Sequence, residues 1–171
     1  MKKSMLISYI TIFVVFLLAA PITVAANGVI NFRAILSGDD QVPDPIETKA
    51  RGLAKFQLNK DGTELKFKII VANIENVIGA HIHFAPVDAN GPIVLSMVPD
   101  TAGFLADGAF ITDPLTLNGI LVEGTATADD LVGPLEGEEL EDLILLIENG
   151  DTYVNVHTVE NRPGEIRGQI F

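Results

Sequence analysis

Residues 50–74, ARGLAKFQLNKDGTELKFKIIVANI, decide the fold class. In the first half Leu53 sits between Gly52 and Ala54, and Phe56 and Leu58 then alternate with polar residues. Lys60-Asp61-Gly62-Thr63 interrupts the run, and Asp-Gly supplies the positive φ that a tight hairpin turn needs. The return stretch, Glu64 to Ile74, places Leu65, Phe67, Ile69 and Val71 on one face, with Lys66 and Lys68 on the other. A period of two is the signature of a half-buried strand. The hairpin is therefore the unit from which the rest is read.

Working outward, Ile30 to Leu36 repeats the alternation through Ile30, Phe32, Ala34 and Leu36. Further short strands are expected at 79–84, 93–98, 108–112, 118–126, 152–158 and 165–170, with Gly, Pro, Asn and Asp in most gaps. That spacing predicts an antiparallel β-sandwich or Greek-key barrel. Residues 137–149 break the rule. Leu140, Leu143, Ile144 and Ile147 fall at i, i+3, i+4 and i+7, and Glu138, Glu139, Glu141 and Asp142 load the early turns. A short helix is expected there, ended by Asn149-Gly150.

The first 26 residues read differently. Lys2 and Lys3 precede an apolar stretch from Met5 to Ala20, then Pro21 and Val24-Ala25-Ala26. This is the pattern of a signal peptide, with an uncleaved membrane anchor as the alternative. Both readings place one domain, residues 27–171, in the secreted or cell-surface space, touching a membrane only through the N-terminal segment. Losing the two lysines takes the formal charge from −12 to −14. Such an acidic domain repels phosphate backbones, which excludes nucleic acid as a partner. The absence of Cys excludes a disulfide framework, a thiol nucleophile and a thiolate metal site. With Tyr153 as its one tyrosine and no Trp, the domain offers no aromatic platform for sugars or bases. Ser37 and Ser96 sit in no nucleophile elbow, and no H-E-x-x-H helix or phosphate-cradling loop is present. The acid runs Asp39-Asp40 and 136–142 lack calcium-loop spacing and read as a solvated face and a helix start.

The three histidines remain. His81 and His83 stand in Gly79-Ala80-His81-Ile82-His83-Phe84, and His157 in Tyr153-Val154-Asn155-Val156-His157-Thr158. Residues two apart on a strand share a face, about 6.5–7 Å apart. Both strands are expected to aim their histidines away from the core, onto one outer patch. Three neutral imidazoles with an open position suit copper or zinc. Glu160 or Glu165 is a candidate fourth ligand. A hydrogen-bonded polar cluster that fixes strand pairing is the alternative, and a pH-sensitive partner site a third. Around them, Asn155 and Thr158 are candidate hydrogen-bond partners of an imidazole, with capping of the strand end as the alternative. Arg167 is expected on an outer face with Glu165, in a cross-strand salt bridge or orienting a histidine through a carboxylate. Asp88-Ala89-Asn90-Gly91-Pro92 directly follows the H-x-H strand and is a candidate roof for the site, with plain turn chemistry as the alternative.

These segments carry a resemblance. Leu36-Ser37-Gly38 with Val42-Pro43, Asp61-Gly62-Thr63, Gly79 to His83, Asn90-Gly91-Pro92, Tyr153 to Thr158 and Gly164 to Ile170 resemble the CHRD domain. That module is named for chordin and also found in secreted bacterial proteins. The resemblance spans nearly all of 30–171. It implies an immunoglobulin-like β-barrel with a faint similarity to copper–zinc superoxide dismutases, and no assigned biochemical activity. The dismutases also place an H-x-H of copper ligands on a barrel strand and another histidine on a late strand. This chain lacks their metal-bridging histidine, zinc loop and disulfide, and its charge opposes steering of superoxide. Dismutase activity is not expected. The resulting expectation is a binding module for one copper or zinc ion, or for an extracellular protein partner. A structural or adhesion domain is the alternative, with a metal-dependent redox enzyme behind both.

Overall fold

Alternation becomes a ladder in β1 (Ile30–Ser37), β2 (Arg51–Leu58) and β3 (Leu65–Glu75), which pair antiparallel in sequence order. Phe32, Phe56 and Phe67 meet across this meander, and Gly62, at φ +72°, makes the hairpin turn. The computed structural model describes residues 28–98 and 116–171. The chain continues through β4 (Val77–Phe84), β5 (Ile93–Val98), β6 (Thr116–Ala126), the helix α1 (Leu140–Glu148), β7 (Thr152–Thr158) and β8 (Ile166–Gln169). The strand expected at 108–112 and the leader at 1–26 lie outside the described residues.

The eight strands of the described residues join one antiparallel sheet in the order β5-β4-β7-β8-β1-β2-β3-β6. The sheet curls until its end strands β5 and β6 touch, and a bridge between Leu95 and Leu131 fastens β5 to the chain just beyond β6. The result is a nearly closed, barrel-like, mainly β fold, as the sandwich-or-barrel reading expects. Leu36, Ala54, Phe56, Leu65, Ile69, Ile82, Val154, Val156 and Ile166 fill its interior. Burying a large aliphatic side chain contributes about 1.5–3 kcal/mol, and in a chain without disulfides this interior is the principal source of stability.

The helix buries the four residues its periodicity names, Leu140, Leu143, Ile144 and Ile147. It starts three residues later than the acid-rich run predicts. Gly137 sits at φ +84°, which no right-handed helix accommodates, and the Glu139 backbone N–H donates to the Asp142 carboxylate at 3.1 Å. Asp142→Ala removes that cap and is expected to lower stability by about 0.5–1 kcal/mol, read as a small drop in melting temperature. Among the described residues no helix is long and apolar enough to cross a membrane.

Candidate metal centre

β4 and β7 are neighbours, and their register sets the site. His81 pairs with Asn155, His83 with Tyr153, and His157 with Gly79. Ile82 and Val154 are also partners and point into the core. The three imidazoles, with Tyr153 and Asn155, therefore project from the opposite face. Gly79 contributes no side chain beside His157, so that ring can lean toward His81. The ring centroids form a tight triangle, 4.9 Å for His81–His157 and 5.7 Å for the two pairs with His83.

One expectation is corrected here. The histidines do not lie on an outer patch; His81, His83 and His157 are only 2%, 8% and 9% exposed. β7 is buried along its whole length because the face opposite the core is itself covered. Residues 85–92 fold over His83, and residues 159–164 fold over His157. The His83 Nδ1–H donates to the Gly91 carbonyl at 2.9 Å, and the His157 Nδ1–H donates to the Arg162 carbonyl at 2.9 Å. A carbonyl only accepts, so both rings carry their proton on Nδ1, and in His83 this leaves the Nε2 lone pair without a hydrogen bond.

That arrangement fits a metal. One nitrogen from each histidine lies within 4.8 Å of the other two. Three such atoms fit a circle of radius 4.8/√3 at most, about 2.8 Å, against zinc–nitrogen bonds of about 2.0–2.1 Å. Sub-ångström contraction would make them ligands. Among the described residues the cluster consists of these three histidines. The His83 Nε2 is buried with no hydrogen-bond partner, an arrangement that costs free energy unless another acceptor of its lone pair is supplied. Burial, joined by the neighbouring His157, His81 and Arg167, pushes the His83 pKa down to about 4 despite the Gly91 hydrogen bond. The ring is thus neutral at physiological pH, the state a metal ligand requires.

The supporting residues are arranged differently from the sequence expectations. Glu160 accepts a hydrogen bond from Asn76 at 2.9 Å. Both oxygens of Glu165 are engaged, by Thr48 at 2.7 Å and Thr158 at 2.8 Å. Asn155 bonds no imidazole; it accepts from Gln41 at 2.8 Å and donates to the Pro163 carbonyl at 3.0 Å. Gly164 makes room for it, since a Cβ there would stand 2.3 Å from the Asn155 amide. Arg167 departs furthest from expectation. It is 1% exposed rather than on an outer face, and its partners are oxygens of Pro86, Val87, Ala89 and Asn90 instead of a carboxylate. The outward side of β8 is solvent-facing by pattern, but the 85–92 segment lies over it. Tyr153, which stacks on His83 with centroids 4.9 Å apart, had its signal in the Tyr153-Asn155-His157 alternation. Gln41 and Thr48 had none, being more than a hundred residues from the groups they bond.

The roof expected from Asp88 to Pro92 is in place over His83, and Gly91 is its tightest point. A Cβ there would lie 1.8 Å from the Phe84 carbonyl oxygen.

The family model described as CHRD domain matches residues 32–170, a span that takes in all of β2 to β8 and most of β1. No curated protein and no solved structure matches the chain. With both histidine strands and the covering segment inside the matched span, the chain belongs to the CHRD domain family.

Proposed function

We propose that this CHRD domain is a secreted or cell-surface binding module that holds a single copper or zinc ion through His81, His83 and His157. The observation that carries the reading is the buried triangle of imidazoles, with nitrogens within 4.8 Å of one another and the His83 Nε2 lacking a partner. Neutral imidazoles suit both metals. The leader pattern of residues 1–26 supports an extracytoplasmic setting. A second reading, an architectural or adhesion domain, is favoured by the two Nδ1–H donors that fasten Gly91 and Arg162. In it the histidines fix loops to strands and carry no ion.

Elemental analysis after copper or zinc loading, with a competing chelator to set the affinity, separates the two. The proposed site retains about one metal per chain at micromolar affinity or tighter and loses it in His81→Ala/His83→Ala. Equal metal content in wild type and double variant, with the variant merely less stable, returns the histidines to architecture.

A further inference from the structure

Arg167 is among the largest fully buried side chains of the domain, and what it touches has a direction. Its Nη1 donates to Asn90 Oδ1 at 2.9 Å, and its Nη2 reaches the carbonyls of Ala89 at 2.8 Å, Val87 at 3.1 Å and Pro86 at 3.3 Å. A planar, rigid fork presents its donors to the carbonyls of one loop in a fixed geometry, which a flexible ammonium does not. The next residue along that loop is Gly91, whose carbonyl receives the His83 proton. The guanidinium carbon also lies 3.6 Å from the Tyr153 ring centroid, and Tyr153 in turn stacks on His83 with planes 10° apart. The Gly91 N–H closes the circuit by donating to the Tyr153 hydroxyl at 3.3 Å. Two routes thus lead from Arg167 to His83, one through the loop to its Nδ1 and one through the tyrosine to its ring face.

We propose that Arg167 is the positioning residue that holds His83 in its Nδ1–H form, with Nε2 turned toward His81 and His157. The consequence for affinity rests on the metal-binding reading; the tautomer does not. Which nitrogen of a histidine is bare is set by the hydrogen bond the other makes. Outer groups that fix a ligand this way typically govern about 10–100-fold in metal affinity. His157 supplies an internal comparison, because its Nδ1 is held by Arg162 on a different segment.

The test is long-range nitrogen–proton NMR of the imidazoles in the chelator-treated protein at about pH 7.5, wild type beside Arg167→Lys. In wild type both His83 and His157 are expected as Nδ1–H. In Arg167→Lys the His83 signals move to a mixture of the two tautomers while His157 stays unchanged, and metal affinity falls about 10–100-fold. A folded Arg167→Lys protein with His83 still wholly Nδ1–H overturns the proposal. Should that variant not fold, Asn90→Ala decides, since it removes one acceptor of the fork from an exposed side chain. A gain in the His83 Nε2–H form supports the proposal, and an unaltered ring refutes it. A wild-type protein that binds no metal yet shows the Arg167-dependent tautomer would sink the metal reading alone.

Discussion

Gly91→Ala is expected to destabilise the domain by about 2–4 kcal/mol and to weaken metal retention with it. The new Cβ would meet the Phe84 carbonyl oxygen at 1.8 Å, its carbon at 2.7 Å and the Ala85 Cβ at 3.0 Å. The first two of these are backbone atoms, so no side-chain rotation relieves the clash. The segment must lift. Lifting it breaks the Phe84 N–H bond to Pro92 at 2.9 Å, the Gly91 N–H bond to Tyr153 at 3.3 Å and the His83 bond to Gly91 at 2.9 Å. Each buried hydrogen bond contributes about 0.5–1.5 kcal/mol net, and an orphaned partner costs more. Gly137→Ala is the comparison, because a Cβ there has nothing within 4 Å and only a positive φ to strain. That strain costs about 1 kcal/mol. Urea unfolding of the two variants gives the answer. A Gly91→Ala midpoint no lower than that of Gly137→Ala would show that the roof yields freely.

Acid is expected to unfold the metal-free protein earlier than its carboxylates alone dictate. The His83 pKa is about 4 in the folded state, against 6.5 for an unperturbed ring. Below pH 6.5 the unfolded chain takes up a proton that the folded chain refuses. Stability from this residue is therefore complete above 6.5 and is lost as the pH falls toward 4. The difference amounts to on the order of 3 kcal/mol, with burial of the ring as its first cause. His83→Asn isolates it, because the asparagine amide can still donate to the Gly91 carbonyl and does not titrate. Chelated wild-type protein should lose more stability than His83→Asn between about pH 7.5 and 4.5. Parallel pH profiles for the two proteins would falsify the assignment to His83.

The fold was legible because period-two alternation is a local property. Ile30 to Leu36, the hairpin through Gly62 and the heptad-like spacing of Leu140 to Ile147 each carry their own evidence. The meeting of the histidines was also legible, since H-x-H fixes two rings on one face and His157 sits in a similar strand. Their burial was not. It depends on residues 85–92 and 159–164 folding back over a face that alternation assigns to solvent, and no local pattern announces a cover. Arg167 was misread for the same reason. Its position opposite Ile166 is what the alternation says, but what lies on that side is fixed by a segment some eighty residues away. Glu165 shows the chemical version of this blindness. A carboxylate near a histidine suggests a ligand, whereas two threonines, one from the far side of the chain, had already claimed both its oxygens.

The curling of the sheet until β5 meets β6 bears on how the protein avoids self-association. An open sheet offers a row of unpaired backbone donors and acceptors on which a neighbouring chain can crystallise as an added strand, the first step toward fibrils. Here the edge of β5 is partly spent on the Leu95–Leu131 bridge, and β5 and β6 lie against each other. A chain with no cysteine cannot lock itself shut by oxidation. Self-closure of the strands does that protective work in place of cross-links.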